Sequence, residues 1–473
     1  MLHFAIFSVA TLAIGASASS KVDQLKVPLD WDHTDGEKIT LGLTKVPNNS
    51  TNNKGALFFN PGGPGVVTSD LLAGQTMGYD VFGDLADNFD IIGIDPRGIG
   101  LSQPIICDPD KFNAPWPKFP QSEAAFNDLV NYNKAFWESC SNLTGKLLGH
   151  VDTLSVAKDF EAVRKAMDIP KINYLGLSYG TVIGSQYAEL YPDKFRAMAL
   201  DGNVDHSQTL LESFETEVTA YETEMERFIS WCESDQSCVL NGENVTQIWM
   251  DLVDSAFENP IPAPGCEDPT NGCQPNVWGG DILFNAQDML MFKKPVLWAK
   301  GTTWATLGLA IQQATAGNAT LLSSSTATSN SSNVFAEPAV QCLDWITPIE
   351  TFADLQYIYE LASYLAPLTR GASQSYWEMI SCIGYPLPVR NPSHTMNITN
   401  SANNTILMTN ARYDPSTSIV WAEGLREQIA FAGLVVREGD GHTSFGLFGQ
   451  TTEMIENYLA NMTLPVQNCV TQS

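Results

Sequence analysis

The apolar run Ile172-Asn173-Tyr174-Leu175 leads directly into Gly176-Leu177-Ser178-Tyr179-Gly180, and no other feature constrains the fold of this chain as tightly. A short β-rich run, a Gly-x-Ser-x-Gly pentapeptide and then a helix-forming segment from Thr181 to Leu190 describe a strand that turns sharply into a helix with a serine at the apex. Glycine is needed on both sides because a side chain there would strike the adjoining strand or helix. Such a unit belongs in a parallel sheet connected by crossover helices.

The surrounding sequence has that texture. Between Lys21 and Asp205, strand-like runs at 39–45, 55–60, 89–95, 172–177 and 195–201 alternate with helical patterns. The clearest helix, 153–167, carries Leu154, Ala157, Phe160, Val163 and Met167 on one face. From His206 to about Asn400 the strand signals almost vanish. Acidic helical patterns, a Ser/Thr/Asn-rich stretch at 315–333 and six of the nine cysteines occupy this region. Strand patterns resume at 405–410 and 433–437, and a closing helix is expected at 451–461. The expected architecture is α/β, a mostly parallel sheet flanked by helices. A signal peptide at 1–18 precedes the first part of the core at 19–205. A largely helical cap at 206–400 is inserted before the last two core strands, and the second part of the core occupies 401–473.

Charge and cysteine usage bound the surroundings. With 25 basic and 53 acidic residues the formal charge is −28, which opposes nucleic acid or an anionic membrane as a partner. The apolar stretch 4–14 before Ala16-Ser17-Ala18 fits a secretory signal, and no later run is long and apolar enough for a membrane span. N-x-S/T sequons at Asn48, Asn49, Asn142, Asn244, Asn318, Asn330, Asn397, Asn403 and Asn461 suit a secreted glycoprotein. The cysteines lack metal-site spacings, so disulfides are expected. Cys232–Cys238 and Cys266–Cys273 would close local loops. Cys107–Cys140 and Cys342–Cys382 are one choice among many for the rest, which leaves Cys469 over.

A serine hydroxyl needs a general base that is itself oriented by a third group. Of the six histidines, His442 in Gly439-Asp440-Gly441-His442-Thr443-Ser444 follows the last expected core strand and precedes the last helix, where such a base would stand. Asp414, in Arg412-Tyr413-Asp414-Pro415, ends the preceding strand and is preferred as the orienting acid. Asp440 competes with it but lies too close in sequence to reach the ring readily. The oxyanion would be held by the amide of Tyr179 and by one from Asn60-Pro61-Gly62-Gly63-Pro64-Gly65, with Gly63 the chosen donor. The same glycine loop lacks the Lys-Ser/Thr of a phosphate-binding loop. No metal or organic cofactor is implied.

Taken together, Asn60–Gly65, Asp95-Pro96-Arg97-Gly98-Ile99-Gly100-Leu101-Ser102, Gly176–Thr181 and Leu200-Asp201-Gly202 resemble the prolyl aminopeptidase and tripeptidyl aminopeptidase family of α/β-hydrolases. Val27-Pro28-Leu29-Asp30-Trp31 and Cys342-Leu343-Asp344-Trp345 are similar to its secreted tripeptidyl-type branch. The resemblance implies a serine exopeptidase that releases amino acids or short peptides from free N-termini through an acyl-enzyme. Ser178 would be the nucleophile, His442 the proton shuttle and Asp414 its orienting acid. It also implies cap carboxylates for the substrate ammonium, with Glu212, Glu215, Glu217, Glu222, Glu224 and Glu226 as the pool. The alternative is a carboxylesterase or small-molecule hydrolase using the same triad, since one fold hosts many acyl transfers. Either way the partner is a peptide or small acyl substrate.

Overall fold

The computed structural model describes residues 21–48, 50–76, 81–296, 301–465 and 469–471. The expected signal segment, Asn49 and the side chain of Cys469 lie outside the described parts. Nine strands form one sheet: β1 (Lys21–Pro28), β2 (Lys38–Val46), β3 (Ala56–Asn60), β4 (Asp90–Ile94), β5 (Ile172–Leu177), β6 (Phe195–Asp201) and, after two short strands outside it, β9 (Ile406–Tyr413), β10 (Ala432–Asp440) and β11 (Cys469–Thr471). Their order is β1-β2-β4-β3-β5-β6-β9-β10-β11. The β1–β2 and β2–β4 pairings are antiparallel and the remainder parallel.

β3 and β5 are buried along their whole length, as expected of apolar runs covered on both faces by helices. One apolar layer on the sheet contains Phe58, Phe160, Tyr174 and Ile183. The opposite layer contains Phe59, Leu175, Ala199 and Leu459. The sheet departs from expectation at both edges. β1 carries no strand pattern in the sequence because Lys21, Asp23, Gln24 and Lys26 break any apolar alternation, and β11 has only three residues. Three core strands therefore follow the helical region, not two.

Between β6 and β9 the described residues contribute nothing to the main sheet. They form seven α-helices, from Leu210–Ser234 to Gln374–Ser381, and a two-residue antiparallel pair, β7 (Ile261–Pro262) with β8 (Asn276–Val277). The Leu210–Ser234 helix begins with a capping box, in which Thr209 and Glu212 satisfy each other's backbone ends; such a cap contributes about 1 kcal/mol. Leu210, Phe214, Val218, Tyr221, Met225 and Phe228 recur at three- and four-residue intervals and are all buried. This region encloses an apolar centre of its own around Trp249, Trp304, Leu283 and Ile311.

All four expected disulfides are closed: Cys107–Cys140, Cys232–Cys238, Cys266–Cys273 and Cys342–Cys382. They fit a protein of an oxidising, extracellular compartment. Among the described residues, no helix is long and apolar enough to cross a membrane.

Two buried polar clusters give the loops above the sheet their shape. Arg97 is fully buried. Its guanidinium donates to both oxygens of Asp159 at 2.7 Å and to the carbonyls of Pro28, Leu29 and His150. Trp31 Nε1 donates to the same Asp159 at 3.0 Å, so two of the sequence motifs meet on one carboxylate. Asp95 accepts from the Ser69 amide and hydroxyl and from the Leu101 amide, closing the loop after β4.

Candidate active site

Ser178 stands at the carboxyl end of β5 with φ +56°, a left-handed conformation rare for a residue with a side chain. The surrounding contacts over-determine it. The Ser178 amide donates to the Asp201 carbonyl at 2.9 Å, and its carbonyl accepts from the Thr181 amide (2.8 Å) and hydroxyl (2.6 Å). Tyr174 Oη donates to the Gly180 carbonyl at 2.6 Å, pinning the far side of the turn. A Cβ on Gly180 would stand 2.6 Å from the Asn60 carbonyl, so the motif's second glycine is a packing requirement.

The Asn60–Gly65 loop lies against this turn. The amide of Gly62 donates to Asn60 Oδ1 at 3.0 Å. A Cβ on Gly62 would stand 2.5 Å from the Leu177 carbonyl, 2.8 Å from Ser178 Cβ and 3.1 Å from the Tyr179 nitrogen. Gly62 and Gly63 both have positive φ, +98° and +109°. Among the described residues, the amides of Gly63 and Tyr179 have no hydrogen-bond acceptor. Tyr179 directly follows the serine, and Gly63 directly follows Gly62, whose Cβ position abuts Ser178.

His442 and Asp414 meet at the ends of β10 and β9. His442 Nδ1 lies 2.9 Å from Asp414 Oδ2 and 3.0 Å from Oδ1. Both groups are buried. Asp414 also accepts from the amides of Ser416 (2.9 Å), Thr417 (2.8 Å) and Thr443 (3.3 Å) and from the Thr417 hydroxyl (2.8 Å). Burial works to raise the Asp414 carboxyl. The facing His442 and the amides outweigh it and hold the group below the ordinary carboxylate value. On the other side of the ring, His442 Nε2 is buried with no hydrogen-bond partner among the described residues. A Cβ on Gly202 would stand 3.2 Å from His442 Cε1, so the glycine after Asp201 makes room for the imidazole.

Asp440 is engaged elsewhere. It forms ion pairs with Arg227 at 2.5 Å and Lys293 at 2.6 Å. Asp201, one residue before Gly202, has a role the sequence did not reveal. Its carboxylate accepts from the amides of Ser444 (2.6 Å) and Phe445 (2.7 Å) and from Thr409 Oγ1 (2.7 Å). One residue thus anchors the loop that carries His442, while its carbonyl anchors Ser178.

Next to the Asp414 loop lies a small cavity of about 20 Å³ lined by Lys118, Gln287, Glu337, Gln374 and Trp377, among others. Gln287 donates to the Pro415 carbonyl and Gln374 accepts from the Ser416 hydroxyl, which ties the cavity wall to the Asp414 loop. Glu337 borders the glycine loop as well: a Cβ on Gly65 would stand 3.6 Å from its amide nitrogen.

Comparison with known proteins agrees with the fold. Residues 55–258 match a family model described as the alpha/beta hydrolase fold, and residues 367–471 match one described as TAP-like protein. The chain has the α/β hydrolase fold, and its C-terminal part is similar to the TAP-like proteins. It is similar to serine protease Hip1 of Mycobacterium tuberculosis (36% identity; 49% of this chain, 45% of the relative). It is also similar to tripeptidyl aminopeptidase of Streptomyces coelicolor (32% identity; 50% of this chain, 45% of the relative). The matched part therefore spans under half the length of each of these relatives. Carboxylesterase B of M. tuberculosis matches at 28% identity over 93% of this chain and 84% of its own length.

Within this α/β hydrolase, the acidic pool on the Leu210–Ser234 helix divides by environment. Glu217 is fully bonded to Gln287, the Gln374 and Ser375 amides and the Ser375 hydroxyl. Glu222 accepts from the Leu368 and Thr369 amides and the Thr369 hydroxyl. Glu212 closes the capping box, and Glu226 is exposed. Glu224 is buried under the Asp440–His442 turn. Burial, with Asp440 and Asp414 close by, raises it well above the ordinary carboxylate value. None of the six lines the cavity. Glu337 does, and its setting, Phe335-Ala336-Glu337-Pro338, carries no sequence signal that would single it out.

Proposed function

We propose that this α/β hydrolase is a secreted, N-glycosylated serine exopeptidase that releases amino acids or short peptides from free N-termini. The carrying observation is the buried, unpartnered Nε2 of His442 opposite Asp414, at the carboxyl end of the sheet where Ser178 is held in a strained turn. Such a nitrogen is a proton acceptor awaiting a proton.

Ser178 Oγ attacks the scissile carbonyl as its proton passes to His442 Nε2. Asp414 keeps the imidazole oriented and stabilises the imidazolium. The amides of Gly63 and Tyr179 hold the tetrahedral oxyanion, a contribution of about 3–4 kcal/mol per donor. The imidazolium then protonates the departing amine, leaving the acyl-enzyme, and water deprotonated by His442 releases the acid and restores Ser178. Glu337, facing the cavity, is the carboxylate best situated to meet a substrate ammonium. We assign the cap that selects the substrate to residues 206–400, between core parts at 19–205 and 401–473, with 1–18 as the signal.

The similarity to a carboxylesterase over 93% of the chain favours a second reading, ester hydrolysis with the same groups. A substrate panel separates them: aminoacyl and tripeptidyl amides with free and blocked N-termini, against short acyl esters. The exopeptidase reading expects amide turnover that is lost on blocking the amine. Ester turnover without amide turnover would replace it by the second reading.

A further inference from the structure

The segment Cys342-Leu343-Asp344-Trp345 has no part in the chemistry above, yet it reaches the active site through a buried chain of hydrogen bonds. The helix Ala336–Asp344 ends at Asp344, which is wholly buried. Cys342 is bridged to Cys382, and the Leu343 carbonyl accepts from the amides of Arg390 (2.9 Å) and Asn391 (3.0 Å). The helix end is therefore held from two sides. Asp344 Oδ1 accepts from the Thr153 amide and from Asn391 Nδ2, each at 2.9 Å, and Oδ2 is bonded to the Thr153 hydroxyl. The same hydroxyl lies 2.5 Å from the phenol oxygen of Tyr179. Thr153 opens the core helix Thr153–Ala166 behind an Asp152 cap, so its own position is set by the core.

Tyr179 follows Ser178. Its carbonyl accepts from the Val182 amide at 2.9 Å, and its ring is buried, so the Thr153 contact fixes the one end of the residue that the turn leaves unattached. A ring held at its tip cannot swing about the Cα–Cβ bond, and the backbone of the strained turn is braced through it.

We infer that Asp344 is a positioning residue for acyl transfer: through Thr153 it holds the Tyr179 side chain, and with it the Tyr179 amide, in register with the oxyanion. The inference rests on the nucleophilic reading of Ser178 and goes beyond it. It makes the 336–344 helix part of the catalytic geometry and not only a wall of the cavity.

Two substitutions break the chain of bonds without removing the amide, Thr153→Val and Tyr179→Phe, and Thr153→Ser preserves it. Each is made in the full-length protein and assayed with p-nitrophenyl acetate. Binding is measured for butaneboronic acid, which forms a tetrahedral adduct on a nucleophilic serine, and for butanamide, which stays trigonal. Removing an oxyanion donor outright costs about 10²–10³ in kcat. Misaligning one is expected to cost about 10-fold in kcat and about 10-fold in boronate affinity, with KM and butanamide affinity unchanged and Thr153→Ser close to wild type. The inference is overturned if both disrupting variants bind boronate like the wild type. It is also overturned if boronate and butanamide affinity fall together, the mark of general damage to the site. Turnover that persists in Ser178→Ala would instead remove the nucleophile on which the inference rests.

Discussion

Gly62→Ala tests the contact between the glycine loop and the serine turn. A methyl group there would stand 2.5 Å from the Leu177 carbonyl and 2.8 Å from Ser178 Cβ, whereas such contacts do not occur below 3.0 Å. The loop or the turn must then open by at least 3.0 − 2.5 = 0.5 Å, and both obstacles belong to the strained turn itself. Alanine at φ +98° adds a left-handed cost of about 1–2 kcal/mol, and overpacking adds about 1–3 kcal/mol. Together they predict a loss of about 2–5 kcal/mol in stability. The chemical effect is larger in proportion, because the opening separates the Gly63 and Tyr179 amides. A loss of about 100-fold in kcat is expected, less than or equal to the removal of one donor. Steady-state kinetics and thermal melting, run beside Gly149→Ala, give the answer. A Cβ on Gly149 meets nothing closer than Leu387 Cδ1 at 3.4 Å, so that variant should behave as wild type. A Gly62→Ala enzyme with kcat within twofold of wild type would refute the assignment of this loop to the oxyanion.

Asp201→Ala removes the acceptor of two amides and a hydroxyl, all buried. At about 1–3 kcal/mol for each of the three orphaned donors the protein should lose roughly 3–9 kcal/mol, read by denaturant unfolding, and kcat should fall as the His442 loop loosens. Asp414→Asn should lower kcat by about 10³–10⁴, whereas Asp440→Asn, which breaks ion pairs with Arg227 and Lys293, should cost under about 10-fold; comparable losses would return Asp440 as the orienting acid. Burial raises Asp344 to about 8 and also raises Glu217, Glu224 and Glu378. The folded protein then keeps protons that the unfolded chain releases above about pH 4, so the contribution of these four groups to stability is greatest below that value and, for Asp344, is lost as pH rises to about 8. Thermal melts should give a higher Tm at pH 5 than at pH 8; a Tm that climbs over this interval would contradict the burial of these carboxyls.

What was legible in the sequence was local. Ser178 announces itself because the turn demands glycines at fixed offsets. The strands β3, β5 and β6 are legible because burial on both faces demands continuous apolar runs. Asp414 and His442 could be chosen by chain order, and the structure brings them within 2.9 Å. Less legible were features defined by contacts between distant segments. Asp201 was visible only as part of a motif, because its partners Ser444 and Phe445 lie more than 240 residues away. The acidic pool was misjudged for the same reason: Glu217 and Glu222 look like free carboxylates until residues 368–375 fold over them. β1 stayed hidden because an edge strand can carry charge on its open side without the alternation that marks a half-buried one.

The proposed chemistry stands on Ser178 as the nucleophile of a Ser178–His442–Asp414 triad. Treating the protein with a fluorophosphonate and mapping the adduct by peptide mass spectrometry tests it most directly. One equivalent of label is expected on Ser178, with hydrolytic activity lost in proportion and labelling slowed strongly in His442→Ala. Label on another residue, or hydrolysis that survives complete modification of Ser178, would contradict it.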